Sequence, residues 1–499
     1  MTSVLKIVAA ALLVWTLSNA TSTMAQDVST SKVDAQARAE ALRLVDVWLE
    51  SVQAYQRLPA LSAAVVQADQ TVWSNGYGTL DARHQIPATA QTLYSICSIS
   101  KLFTSVALMQ QWEAGRVRLD EPVTTYLPWA KLKPLDKDSV PITLRAILSH
   151  SAGLPRESDF PYWTGPDFVF PTEDQLKTKL PDQVPLWPAF RWFQYSNLGL
   201  TLAGDTVASV SGEPYSEYAQ THVLEPLGLK DTHPFMPMAL YGKRLAVGWG
   251  AIKRDGTRDL VKPFETRGVT PAAGYTSTVE DLGRFAAWQF RLLRTEQPEG
   301  LKASTLREMQ RVQFTDPDWK TTWGLGFAVK RKGDQTYVGH GGDCPGYHSI
   351  LLLRPATETA VVAMLTGAEH PSAYAAAVFD LLDKRKHWDF KAPAPAKDVE
   401  LEAYAGRYSE QPWGAEIAIV PWAGGLALLS LPSTNPAEEL TILKAKGGDV
   451  FRRVRDDGSE ADEIRFERDK SGKVSDFVQS SNKRSRVGAV PPAVSPESL

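Results

Sequence analysis

A serine followed three residues later by a lysine can supply a nucleophile and its base. The chain holds four such pairs: Ser3–Lys6, Ser29–Lys32, Ser98–Lys101 and Ser480–Lys483. Residues i and i+3 share a helix face, and serine is a weak nucleophile that needs a base close by. Context separates the four. Ser3 lies in an apolar N-terminal run, Ser29 in a polar arm behind it, and Ser480 near the C-terminal end; Ser98 alone opens a strongly apolar helix. A lysine set among Leu102 and Phe103 is desolvated, which favours its neutral, proton-accepting form. The helix start adds unpaired N–H donors for an oxyanion. Taken alone, the segment also reads as an N-cap serine with a solvated lysine behind it.

Two more segments carry suitable groups. Tyr195-Ser196-Asn197 is the only Tyr-x-Asn in the chain. In an extended stretch its first and third side chains point the same way, placing a phenol and an amide on one wall of a cleft. Beside cations a phenol can be held as phenolate and act as a general base. The same residues also read as a core tyrosine and an N-cap before the helix at Leu198. His340-Gly341-Gly342 is the only His-x-Gly, and its glycines let a substrate lie against backbone; it also reads as a plain hairpin end. The eight histidines show no metal-ligand spacing, and no His-Glu-x-x-His, Gly-x-Ser-x-Gly or Walker loop is present. Neither metal nor cofactor is expected.

The elements that must position these groups follow from periodicity. Helices are expected over 33–56, about 98–114 with Gly115 as stop, about 198–211, from about 278, and over 373–386. Strands are expected over 61–66, 71–76, 324–330, 336–340, 347–354 and 359–365. Strands from both ends of this region flank a helical middle, which implies an α+β domain over 33–388 built on one antiparallel sheet. Between them, 156–193 is aromatic and proline-rich with little periodicity. Phe160, Tyr162, Trp163, Phe168, Phe170, Trp187 and Trp192 there form either an acyl-binding wall or local core.

Ahead of this domain, Lys6 and the apolar run Ile7–Leu17 read as a signal peptide over 1–25, too short to span a bilayer and implying a periplasmic or secreted protein. Behind it, a Lys-Ala-Pro stretch over 389–398 reads as a stiff linker. Short apolar runs at Ile417–Val420, Leu426–Leu431, Val450–Val454, Ile464–Glu467 and Val474–Val478, separated by Gly-rich turns, make 399–488 a small all-β barrel or sandwich. Residues 489–499 read as a disordered tail. Lys+Arg and Asp+Glu number 54 and 57, a near-balance that leaves no electrostatic footprint for nucleic acid. The expected partner is therefore a small molecule or peptide, and the sequence does not set an oligomeric state.

In their order and surroundings the three motifs resemble those of the serine β-lactamase and penicillin-binding superfamily, in particular class C β-lactamase-like serine hydrolases. YSICSISKLFTSVALMQQWEAGRVRLDEPVTTYLP is similar to the first-motif block, ITLRAILSHSAGLP to a Leu-Leu-x-His-x-Ser-Gly-Leu-Pro block, FQYSNLGLTLAG to the second and GHGGDCPGYHSILLL to the third. The likeness covers roughly residues 36–386, and the β module resembles the lipocalin-like modules that trail such enzymes. The resemblance implies that Ser98 is acylated, Lys101 helps take its proton, Tyr195 is the general base, and Asn197 orients substrate and Lys101. His340 stands where many members carry Lys. Gly341 and Gly342 line the substrate, and the N–H groups of Ser98 and Asp343 form the oxyanion hole. An acyl-enzyme hydrolysing an ester, a D-amino-acid amide or peptide, or a β-lactam is implied; a penicillin-binding sensor that is acylated without turnover is the alternative. His150 falls in a matched block with no chemistry assigned. Carbapenem-hydrolysing class A relatives place cysteines similarly, which implies a Cys97–Cys344 disulfide.

Overall fold

The computed structural model describes residues 34–133, 135, 139–386 and 400–496. The expected signal peptide and linker lie outside the described residues. These residues divide into two compact units: Gln53–Ala376, and a second made of the residues up to Val52 with those from Ala377 onward.

The first unit is built on strands β1 (Ala60–Gln67), β2 (Gln70–Gly78), β3 (Tyr94–Ser95), β4 (Thr276–Ser277), β5 (Phe314–Thr315), β6 (Thr322–Trp323), β7 (Ala328–Lys332), β8 (Gln335–Cys344), β9 (Tyr347–Arg354) and β10 (Thr359–Thr366). β3 and β4 pair with each other; the other eight form one sheet in the order β2-β1-β10-β9-β8-β7-β6-β5, antiparallel throughout. The chain's N-terminal hairpin thus pairs with the last strand of the unit, as expected for an α+β domain.

Alternation sorts the sheet's two faces. Val338, Cys344, Leu351, Leu353, Val362 and Met364 belong to the main core, together with Leu102, Phe103, Val106 and Met109 of helix Ser100–Glu113, Leu198 and Leu202 of helix Asn197–Ser211, and Phe285 of helix Val279–Thr295. His340 and Gly342 share that face with Val338 and Cys344. Asp343 and its register partner His348 face the other way. Thr278 caps helix Val279–Thr295 by accepting from the Asp281 N–H, and Gly212, in left-handed backbone, ends helix Asn197–Ser211.

Two expected strands shift. The strand expected over 324–330 begins only at Ala328, because Gly324–Phe327 turns against the helical layer: the Leu325 and Gly326 N–H groups donate to Met309 and Leu148 carbonyls. The strand expected to end at His340 continues to Cys344. The segment 156–193 contains a helix, Glu173–Lys179, entered through a reciprocal capping box between Thr172 and Gln175.

In the second unit, strands β11 (Gly406–Ser409), β12 (Glu416–Trp422), β13 (Gly425–Leu431), β14 (Thr441–Gly447), β15 (Val450–Val454), β16 (Glu460–Arg468), β17 (Val474–Gln479) and β18 (Asn482–Gly488) close a barrel in chain order. Tyr408, Ile419, Leu443, Phe451, Phe466 and Phe477 are among the side chains of its core. Closure leaves no open sheet edge. Residues 34–52 belong to this unit and attach through Arg43, paired with Glu402 at 2.6 Å, and the Trp48 N–H, which donates to the Ser433 carbonyl. Residues 489–496 carry no strand, although the Pro491 carbonyl accepts from Arg43.

Candidate active site

Ser98 sits in a single 3₁₀ turn, Cys97–Ile99, that runs directly into helix Ser100–Glu113. Cys97 holds a left-handed φ of 49°, a strained state for a non-glycine residue that needs support from its surroundings. That support is present on both sides. The Ser100 hydroxyl donates to the Cys97 carbonyl at 2.5 Å and accepts from the Tyr275 N–H at 3.0 Å. The Ser349 hydroxyl of β9 donates to the Ile96 carbonyl at 3.0 Å. Gly342 passes so close that a Cβ there would stand 2.1 Å from the Ile96 oxygen. Gly341 and Gly342 therefore continue the strand instead of ending it, and at Gly342 only glycine lets β8 approach the nucleophile turn.

Lys101 is completely buried one turn from Ser98. Its Nζ lies 3.0 Å from Ser98 Oγ, 2.7 Å from Asn197 Oδ1 and 2.6 Å from the Ala272 carbonyl. Burial pushes its pKa well below that of a free lysine. A neutral amine has two hydrogens and one lone pair. Asn197 Oδ1 and the Ala272 carbonyl can only accept, so they take the hydrogens and leave the lone pair for the Ser98 hydroxyl. The Asn197 amide N–H donates in turn to Glu157 at 2.7 Å, which fixes its orientation.

Tyr195 stands over the same group, with Lys101 Nζ 4.9 Å from its ring centre and the Arg156 guanidinium at 4.9 Å. Burial raises the phenol's pKa, only partly offset by its hydrogen bond with Ser98. The buried site therefore favours a neutral lysine beside a neutral tyrosine over an ammonium–phenolate pair, which places the resting basicity on Lys101.

His340 is buried, and its pKa is lowered to about 3 by burial and then by Lys101. Its Nδ1 lies 2.5 Å from the Gly341 carbonyl, an acceptor, so Nδ1 carries the proton. Nε2, with its lone pair, has no hydrogen-bond partner among the described residues. This position offers an acceptor, not a cation. His150 has a different task. Its Nδ1 accepts from the Ser196 N–H at 3.1 Å, its carbonyl accepts from the Gln194 N–H at 2.7 Å, and its ring centre is 4.3 Å from that of Tyr195. It anchors the backbone on both sides of Tyr195. His150→Phe keeps the ring but strands a buried N–H, so a loss of about 1–3 kcal/mol in urea denaturation is expected.

Past Gly339, β8 pairs with β9 alone, leaving its other edge open alongside Ser98. Asp343 lies on this open stretch. Its carboxylate is turned to the opposite face, where Oδ1 meets His348 Nδ1 at 2.6 Å, so its charge does not face the position expected for an oxyanion. Cys344 is disulfide-bonded to Cys97, with Cα atoms 5.8 Å apart.

The structure thus gathers Ser98, Lys101, Tyr195, Asn197 and His340, with Gly341, Gly342 and Asp343 on the adjoining strand. Sequence reasoning missed Glu157, Arg156 and Trp323, whose ring centre lies 5.5 Å from His340 and 5.1 Å from His150. None sits in a motif-like spacing. Of the aromatic stretch, Tyr162, Trp163, Phe168 and Phe170 cluster around Phe264 as local core. Trp187 lines a separate cavity of about 400 Å³ with Ala152, Pro185 and Pro188.

The chain is 25% identical over 327 residues to beta-lactamase-like protein 2 of Dictyostelium discoideum, covering 64% of this chain and 58% of that protein. It is 30% identical over 193 residues to the D-alanyl-D-alanine-carboxypeptidase/endopeptidase AmpH of Escherichia coli, covering 38% and 49%. The chain thus spans about half to six-tenths of these relatives' lengths. Among solved structures, the octameric penicillin-binding protein homologue from Pyrococcus abyssi superposes with a TM-score of 0.61 at 22% identity, over 88% of this chain and 98% of that one. The β-lactamase/D-alanine carboxypeptidase from Yersinia pestis gives 0.56 at 25% identity, over 66% and 93%. The Beta-lactamase family model matches residues 45–385, well over half of the sequence, and the chain belongs to that family.

Proposed function

We propose that this protein is an exported serine hydrolase that works through an acyl-enzyme on Ser98. The observation that carries the reading is the buried Lys101 amine, with two acceptors for its hydrogens and its third contact on the Ser98 hydroxyl. In this reading Lys101 takes the Ser98 proton as Oγ attacks an acyl carbon. The Ser98 and Asp343 N–H groups receive the oxyanion, each such donor being worth about 3–4 kcal/mol in the transition state. Tyr195, neutral at rest, delivers a proton to the leaving group and then takes one from the water that attacks the acyl carbon, while Lys101 returns its proton to Ser98 Oγ as the acid departs.

The substrate class follows from His340. An uncharged imidazole presenting a lone pair complements an N–H or O–H of the substrate and does not neutralise a carboxylate. That favours an ester or a D-amino-acid amide over substrates that place a free carboxylate there, such as a β-lactam or a C-terminal D-peptide. The carboxypeptidase/endopeptidase activity named for the Escherichia coli relative keeps a D-peptide beside these as a substrate to test. A disulfide beside the site suits an oxidising compartment, and among the described residues no helix is long and apolar enough to cross a membrane.

One experiment tests the reading. The purified protein and Ser98→Ala are incubated with a short-chain p-nitrophenyl ester, a D-alanyl-D-alanine peptide, a chromogenic cephalosporin and a fluorescent penicillin. Turnover of the ester or peptide that disappears in Ser98→Ala is the expected result. Turnover that survives the substitution overturns the site, and stable penicillin labelling without turnover of anything overturns hydrolysis in favour of a sensor.

A further inference from the structure

On the sheet face opposite Ser98, three side chains that no motif connects converge at one end of the sheet. Asp343 comes from the end of β8, His348 from the start of β9, and His370 from the loop after β10. Asp343 Oδ1 lies 2.6 Å from His348 Nδ1 and 3.2 Å from His370 Nδ1. One ligand atom from each residue falls within 4.8 Å of the others. A tetrahedral zinc site with bonds of about 2.1 Å sets its ligands about 3.4 Å apart, so small side-chain rotations suffice.

The backbone holds all three in place. Asp343 and His348 are register partners on adjacent strands. The His370 loop is tied to the protein by Glu369, which pairs with the buried Arg258 at 2.6 Å and accepts from the Ala368 N–H at 3.0 Å. The Gly367 N–H donates to the Gly346 carbonyl of the β8–β9 turn. His348 is mostly shielded, whereas Asp343 and His370 are largely open to solvent, which leaves room for water ligands. The cluster thus offers one carboxylate and two imidazoles as ligands.

We propose that Asp343, His348 and His370 form a binding site for a borderline divalent metal ion of the zinc, cobalt or nickel type. Two imidazoles and one carboxylate match the ligand preference of those ions and leave coordination positions open for water. The spacing of the histidines along the chain indicates no metal site; the antiparallel register pairs residues 343 and 348, and the loop after β10 brings His370 beside them. The site does not depend on the chemistry proposed at Ser98.

The test uses the tag-free protein, stripped with chelator and desalted. Titration with Zn²⁺ by calorimetry is expected to show one equivalent bound. Co²⁺ is expected to give visible absorption bands of a nitrogen- and oxygen-ligated ion. His370→Ala and His348→Gln are each expected to weaken Zn²⁺ binding by at least about tenfold, the lower end of what loss of even an outer-shell partner costs. His370 is a surface loop residue, so its variant folds. Ser98→Ala is expected to bind Zn²⁺ like the parent, which separates this site from the hydrolase reading. Absence of stoichiometric binding overturns the proposal, as does binding that both histidine variants leave unchanged.

Discussion

Lys101→Met is expected to reduce kcat/KM for the cleaved ester or peptide by about 10²- to 10⁴-fold, the range a positioned general base supplies. The same substitution is expected to remove a pH dependence from the protein's stability. Lys101 has no solvent exposure, and its amine is held below its ordinary pKa by burial. The unfolded chain keeps this lysine protonated up to about pH 10, so it binds more protons than the folded protein. Stability must then rise with pH between the depressed folded pKa and that value. A methionine of similar shape removes that slope, while Asn197 Oδ1 and the Ala272 carbonyl lose their donor. The rate depends on the same group with the matching sign. kcat/KM is expected to hold above the depressed Lys101 pKa and to fall as pH drops through it. His340, with its pKa near 3, adds no limb in the neutral range. Rate–pH profiles and thermal melts of the two proteins check all of this. A Lys101→Met enzyme within tenfold of the parent, or a parent whose activity climbs only as an ordinary lysine deprotonates, would move the base elsewhere, with Tyr195 the first alternative.

Much of this site could be read from residue types and order. The Ser98–Lys101 spacing works because a 3₁₀ turn and an α-helix both place i and i+3 on one side, so a one-turn change of helix type leaves the pair intact. Tyr195 and Asn197 lie where an extended segment meets a helix, as alternation predicts. What the residues could not reveal was electrostatic. Phenolate or phenol, ammonium or amine, depends on burial, and the segments that close on Lys101, at Asn197 and Ala272, are far from it in the chain. His340-Gly341-Gly342 looks like a hairpin end because glycine usually interrupts strands, yet Gly342 is required by a close approach to Ile96 that only the folded sheet creates. Helix Glu173–Lys179 was legible in its Thr172–Gln175 capping box but is too short to show periodicity. In the barrel, five apolar runs became eight strands. β11, β14 and β18 are short or richly charged, as barrel strands with one solvated face can be.

Removing the disulfide is expected to affect both stability and turnover. The Cys97–Cys344 bond closes a loop of 247 residues. Chain-entropy reasoning assigns such a long loop about 5 kcal/mol, and loss of native disulfides commonly costs about 2–5 kcal/mol. The double variant Cys97→Ser/Cys344→Ser is therefore expected to unfold at a clearly lower denaturant midpoint than the parent, and the parent under reductant is expected to move toward it. The position of the bond predicts a second consequence. Cys97 is the strained residue before the nucleophile, and Cys344 follows Asp343, so the bond ties together the two backbone segments proposed to receive the oxyanion. The segments are also tied by the close passage of Gly342 against Ile96, with Ser349 bonding the same carbonyl from β9. Loosening the pair costs more in the transition state, where both N–H groups act on one oxygen, than in the ground state. kcat is accordingly expected to fall while KM changes little. A double variant that loses stability but keeps kcat would make the bond a staple of the fold alone, and one with an unchanged midpoint would remove even that role.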